Sequence, residues 1–331
     1  MEPVRYGIMS SRSDDLMNQK KGRALLVGVL MILTVAAIAY MNTKYDRLSR
    51  YPYQDDEIRA IIDEKFTNEE IEYIIEYSIS PHMFRDFILC DRFNIFHAAE
   101  YYQLRQDHWN NDSQQIVDMV EDTHEKMDVK TLSAYLNHYS YDEIKYYLDH
   151  GDEYIRNAPL CETPGYVETY VDKACTLSIR QPFHLEPLIK EVPQLEDIQV
   201  DIALQQPLAN MCRVMQEELE SDAPCAGLIV ERGYVSYEEQ VEQLKDNTHE
   251  SLPGHNEHQL GLAVDFVFDD NFIDSDAYSW LVDNAYRFGF LQQSAKTMID
   301  HPYHWRYVGG RLAKLLHENN ITFEMYAQNP Q

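Results

Sequence analysis

The chain has 331 residues, is 44% hydrophobic, and carries a formal net charge of -28. That length can bury a sizeable core in one or two domains. The acidic excess argues against nucleic acid as a partner, because phosphate neutralisation needs Lys and Arg in surplus; it suits a solvated protein kept soluble by self-repulsion.

Residues 1–23 are polar and read as a disordered cytoplasmic tail. Residues 24–41, ALLVGVLMILTVAAIAYM, carry no charge. At about 1.5 Å per residue they span ~27 Å, close to the ~30 Å hydrocarbon core of a bilayer. Lys20, Lys21 and Arg23 precede this run and favour a cytoplasmic N-terminus, although Lys44, Arg47 and Arg50 follow it. The expectation is a single-pass anchor in the cell membrane with the C-terminal part extracytoplasmic. A cleaved signal peptide is the alternative, with Ala37-Ile38-Ala39 as the cleavage site.

After a linker at 42–54, residues 42–158 are expected to form a helical stalk. Thr67-Asn68-Glu69-Glu70 and Ser140-Tyr141-Asp142-Glu143 are capping boxes, in which the first side chain and the fourth satisfy each other's backbone N–H groups. Two segments, FTNEEIEYII (66–75) and YSYDEIKYYL (139–148), are similar and suggest a weak internal repeat. The tyrosine-rich stalk is a packed spacer or an aromatic surface for a glycan or protein.

Gly151 and Pro159 mark a boundary. Beyond it, short extended pieces at 161–192 precede a weak strand at Ile198, Val200 and Ile202. Pro207 to Glu220 reads as an amphipathic helix with Pro207 in its first turn. Gly227 to Glu231 reads as a buried strand, Ser236 to Lys245 as a helix with another capping box, and 276–288 as a helix ending at Gly289. Helices and strands that cluster rather than alternate predict an α+β domain.

The stretch SLPGHNEHQLGLAVDFVFDD (251–270) is the chemical centre. It reads as a loop delivering His258 and a strand, Leu262 to Phe268, carrying Asp265 on a face shared with Ala263 and Val267. A carboxylate on an apolar face is costly unless paired or metal-bound. HPYHWRYVGG (301–310) reads as a second strand, with His304, Arg306 and Val308 on one face. Residue types alone leave two readings: zinc ligands, or a hydrogen-bonded His with an Asp that caps a turn.

N-E-H-Q-x-G-x-A-x-D followed by P-x-H-W-R-Y-V-G resembles the VanY-like zinc D-alanyl-D-alanine carboxypeptidases, whose pattern is S-x-H-x-x-G-x-A-x-D followed by E-x-W-H. RGYVSYEEQ (232–240) is similar to that family's S-G-Y-R-S-x-x-x-Q. The resemblance covers roughly residues 160–325 and places a zinc carboxypeptidase-like domain at 159–331. It implies a small antiparallel sheet flanked by helices and Zn2+ held by His258, Asp265 and His304. It further implies Ser236 and Gln240 as substrate-binding positions, and hydrolysis of the C-terminal D-alanine of peptidoglycan stem peptides. The chain also departs from the pattern. The family's Glu, three residues before the last His ligand, is His301; its Trp is Tyr303; its substrate-steadying Arg is Val235; its Ser is Asn256. His301 is the expected general base, with Asp300 a weaker candidate. The enzyme is the preferred reading; the replaced Glu and Arg support the alternative, an impaired zinc-bearing protein that holds cell-wall peptide. A third reading is an interaction protein working through its stalk.

Five cysteines form no zinc knuckle. Outside the membrane, Cys161 with Cys175 or Cys212 with Cys225 could pair; buried thiols are the alternative.

Overall fold

The computed structural model describes residues 9–44, 46–195, 197–245, 251–267, 271–292 and 301–328, with backbone alone at 9–19 and 40–44. Contacts divide the chain into two compact units, Met1–Leu89 with Phe93–Ala99, and Cys90–Arg92 with Glu100–Gln331.

The first unit begins with α1 (Met9–Lys44). Residues 9–23, read from sequence as a disordered tail, are thus helical; residues 1–8 lie outside the described residues. Lys20–Ala39 is long and apolar enough to cross a membrane. Its side chains from Leu25 to Ile38 point outward. Behind it, α2 (Asp56–Lys65) and α3 (Asn68–Glu76) enclose a core of Ile58, Ile62, Ile71, Ile74 and Phe84. The expected linker joins that core, since Leu48 and Tyr51 are buried in it. Arg59 clamps the linker by donating to the carbonyls of Leu48 and Tyr53 at 3.0 and 3.2 Å. The Thr67–Glu70 capping box starts α3 as expected.

The second unit opens with α4 (Ala98–Asp107, from Glu100 onward), α5 (Ser113–Thr123), α6 (Val129–Leu136) and α7 (Tyr141–His150). Each of α5 to α7 has a side-chain N-cap, and Ser140–Glu143 forms the expected box. A two-stranded ladder then joins β1 (Leu185–Pro187) to β2 (Gln199–Asp201). The next helix, α8, runs Ile202–Glu218, so Pro207 lies inside it rather than in its first turn. Asp201 caps this helix through the Ala203 N–H, which moves its start upstream. Pro207 has no N–H to offer the Ala203 carbonyl, and the fold tolerates that gap.

β3 (Val230–Arg232), α9 (Tyr237–Lys245), β4 (Ala263–Phe266), α10 (Asp276–Asn284), β5 (Phe290–Gln292) and β6 (His304–Tyr307) follow, then α11 (Gly310–Asn319) and α12 (Phe323–Gln328). The sheet is antiparallel in the order β3-β4-β6-β5. This is the small antiparallel sheet flanked by helices that the family resemblance implies, within the α+β arrangement expected from the clustering of elements. One sheet face sends Val264, Phe266, Phe290 and Trp305 into a core completed by Leu204, Leu208 and Met211 of α8 and Leu281 of α10. Truncating a buried leucine in such a core costs about 2–5 kcal/mol. Period-two alternation leaves Asp265, His304 and Arg306 on the other face. β5 had no sequence signal, because three residues are too few to show a period.

Two disulfides form, Cys161–Cys175 and Cys212–Cys225; Cys90 belongs to neither.

Candidate metal centre

β4 and β6 are paired so that Asp265 stands directly opposite His304. His258 arrives from the 3-10 turn Glu257–Leu260, capped by Asn256, whose side chain accepts from the His258 N–H at 2.9 Å. Asn therefore does at this position the capping that Ser would do. Gly261 ends the turn at φ 70°, where a Cβ would also strike Asp201 N at 2.9 Å. Glycine meets both demands, and the chain turns straight into β4.

The three side chains expected to hold a metal come together in a buried group, each offering one ligand atom within 4.8 Å of the others. His258 Nε2 lies 3.1 Å from Asp265 Oδ1, and His304 Nδ1 lies 2.8 Å from the same oxygen. His258 Nδ1 is 2.6 Å from the Gly233 carbonyl, which can only accept, so this nitrogen carries the proton. His304 Nε2 is 3.1 Å from Glu257 Oε2 and donates to it. With only that proton on each ring, the other nitrogen would present a lone pair to a carboxylate oxygen. Acceptor against acceptor requires a proton or a cation between them. Ligand atoms on tetrahedral zinc sit ~3.3 Å apart, given bonds of ~2.0–2.1 Å, and the observed separations are close to that. Two imidazoles and a carboxylate, with the outer nitrogens held by a carbonyl and a carboxylate, are the donor set and support that zinc uses.

Electrostatics fit the same picture. Burial works against ionised Asp265, but His258 and His304 outweigh it and hold its carboxyl far below the usual range. Burial also opposes charge on His304, yet its bonds to Asp265 and Glu257 push its pKa up to about 10. Glu257 titrates below its ordinary value because the His304 hydrogen bond and the Arg306 guanidinium overcome its burial. The site binds a proton tightly where a divalent ion could replace it.

Sequence reading missed Glu257 and the Gly233 carbonyl. Glu257 is 5% exposed, with Oε1 3.5 Å from Arg306 Nε. Arg306 is itself buried and donates to the carbonyls of Val167 and Thr169 at 3.1 and 2.8 Å. The available signal was Arg306 on the His304 face, two residues on, a buried cation that needs an anion. Gly233 has none, since its value is a close approach: a Cβ there would strike Ile198 and Val200.

His301 is half-buried at the entry to β6, outside the ligand trio, with Nδ1 3.1 Å from the Tyr303 hydroxyl. Asp300 lies outside the described residues. Ser236 caps α9: its Oγ accepts from the Glu239 N–H at 3.2 Å, while Glu239 accepts from the Ser236 N–H at 2.8 Å. Gln240 is 1% exposed and braces the site loop, donating to Val235 O and Gln259 Oε1 and accepting from the Gly254 N–H. Val235 is buried, with its N–H directed at His258 O. The same loop is anchored by His255, whose ring nitrogens meet Asp172 O and the Asp152 carboxylate.

Residues 203–310, which hold the three candidate ligands together with Gly233, Glu257 and Arg306, match the VanY family, described as D-alanyl-D-alanine carboxypeptidase. This stretch is VanY-like. A D-alanyl-D-alanine carboxypeptidase of Enterococcus faecalis is 37% identical over 102 residues, 29% of this chain and 37% of that protein. The chain thus spans about a third of that relative's length. Among solved structures, the LdcB LD-carboxypeptidase covers 54% of this chain and 94% of its own, at 24% identity and a TM-score of 0.46. A vancomycin-resistance D,D-pentapeptidase VanY in complex with Zn(II) covers 49% and 98%, at 26% identity and a TM-score of 0.37. The VanY-like segment departs from the family pattern at His301 and Val235 and keeps the full set of candidate ligands.

Proposed function

We propose that this chain is a membrane-tethered zinc carboxypeptidase that removes the C-terminal D-alanine of peptidoglycan stem peptides on the outer face of the membrane. The observation that carries the reading is the convergence of His258 Nε2, Asp265 Oδ1 and His304 Nδ1 inside the VanY-like segment, each ring fixed from behind. Zinc held there would supply Lewis acidity and an acidified water. His301, at the entry to β6, is the proposed proton acceptor and donor for the leaving amine. Ser236 and Gln240 are proposed on the substrate side, acting through the helix start and the loop they brace. Residues 42–158 serve as the stalk and 159–331 as the catalytic domain, a functional division within and across the contact units.

Placement outside the cytoplasm is supported by the apolar helix Lys20–Ala39 and by two disulfides, which persist in oxidising compartments. Protease added to intact cells stripped of wall should trim the C-terminal region; protection until the membrane is broken would overturn that placement.

The test of activity is release of D-alanine from a stem peptide ending in D-alanyl-D-alanine by the full-length protein with zinc. His301→Ala should lose most of the release and keep zinc, while His301→Glu should retain it. A second reading, a protein that binds the peptide without cutting it, is favoured by the buried Val235 and by the His301–Tyr303 hydrogen bond. Peptide binding with no release in wild type would select it.

A further inference from the structure

We propose that Arg232 receives the C-terminal carboxylate of the peptide and so makes the site an exopeptidase. This rests on the carboxypeptidase reading and adds its specificity-determining residue. Arg232 closes β3 and stands opposite Asp265 in the β3–β4 ladder. Its Nη1 lies 3.8 Å from Asp265 Oδ2. At that distance the contact is one of charge and not a hydrogen bond. Among the described residues the guanidinium has no hydrogen-bond partner, and its side chain is 43% exposed. Its five N–H donors are therefore aimed by Asp265 without being consumed by it.

Asp265 separates two functions. Oδ1 faces the imidazoles, and Oδ2 faces Arg232. A cation among the ligand atoms and the guanidinium are held one carboxylate apart. In a peptide, the last amide carbonyl and the terminal carboxylate are one residue apart, with neighbouring Cα atoms about 3.8 Å from each other. A carbonyl placed at the ligand trio thus brings the terminal carboxylate beside Arg232. The planar fork of arginine fits a carboxylate in two parallel hydrogen bonds. Arg306, the other cation at the centre, cannot serve, because it is 1% exposed and its donors go to backbone carbonyls. Charge gives a second reason. A chain of net charge -28 repels an anionic peptide end, and an exposed arginine at the mouth of the site offsets that locally.

The test uses full-length protein loaded with zinc and an acetylated peptide ending in D-alanyl-D-alanine, supplied as free acid and as C-terminal amide. Equilibrium binding and hydrolysis are both measured. Wild type should prefer the acid by roughly 10- to 100-fold, the scale of a charge-assisted pair. Arg232→Ala should lose most of that preference, in KM more than kcat, and keep one zinc per chain. Arg232→Lys, which keeps the charge without the fork, should recover part of it. Equal binding of acid and amide by wild type overturns the proposal, as does a preference that survives Arg232→Ala. Loss of zinc from Arg232→Ala would also overturn it, by showing that the arginine only holds Asp265. Binding without hydrolysis would defeat the carboxypeptidase reading, and the acid-to-amide ratio would still decide Arg232.

Discussion

Asp122 and Asp265 are two carboxylates of one unit, each gathering three partners. Asp122 in α5 takes Lys145 at 2.6 Å, the Tyr141 hydroxyl at 2.6 Å and Arg92 at 2.7 Å. Asp265 takes two imidazoles and, at longer range, Arg232. Burial opposes ionisation at both, and the partners win at both, so each carboxyl titrates below its ordinary range. The difference lies in what can leave. Lys145 and Arg92 are permanent cations, half-exposed, and they pair with Asp122 in a surface network. The imidazoles around Asp265 are buried, and the proton that Asp265 and Glu257 favour on His304 is one a metal could replace. A depressed carboxylate marks a candidate site only when its partners can give way.

The largest effect should come from breaking the buried cluster. His258→Ala or His304→Ala should lower bound zinc from one per chain to none by metal analysis, while Asp122→Ala should leave it at one. Stoichiometric zinc in both histidine variants would place the ligands elsewhere.

Next comes the support behind the ligands. Glu257→Gln keeps the shape and removes the charge that His304 Nε2 faces. Zinc affinity should fall roughly 10- to 100-fold, read by competition with a chelator. Unchanged affinity would mean that Glu257 serves Arg306 alone.

Protons should compete with the metal at one cluster and be irrelevant to metal at the other. His304 holds its proton up to a pKa of about 10, so zinc must displace it at any lower pH. Affinity should therefore rise with pH by about tenfold per unit between about pH 6 and 8, with one proton released per zinc. Calorimetry in two buffers of different ionisation enthalpy counts that proton. A flat profile would break the contrast with Asp122.

The smallest effect is expected at the surface network. Asp122→Asn should cost about 1 kcal/mol near neutral pH, since its partners are half-exposed and screened. The folded-state pKa is depressed, so the contribution is present above the unfolded value of ~3.9 and is lost as pH falls through the folded one. Urea unfolding of the two proteins should converge as pH drops below about 4. A gap that does not narrow at all below that pH would show that Asp122 acts through packing.

Much of this was legible before any coordinates. Thr67 with Glu70, Ser140 with Glu143 and Ser236 with Glu239 signalled their helix starts, because a capping box involves only four consecutive residues. The period-two pattern around Asp265 and His304 placed both on strand faces, for the same local reason. Pro207 misled, because Asp201 captures the helix start five residues upstream. Leu48 and Tyr51 sat in a short polar-looking linker and gave no sign of the core they join.

What the sequence determined by itself is therefore local: which segments are helix or strand, which face each side chain takes, and which residue types could hold a metal. Tertiary structure alone decided the rest. It chose the β4–β6 register that sets Asp265 against His304 and the β3–β4 register that sets Arg232 against Asp265. It also brought the Gly233 carbonyl and Glu257 behind the two rings, and paired Cys161 with Cys175 and Cys212 with Cys225. The reason is physical. A strand's alternation is written in its own residues, but its register depends on burying Val264, Phe266 and Trp305 against α8 and α10, and a slip of one residue would send those side chains to the face that now carries the candidate ligands Asp265 and His304.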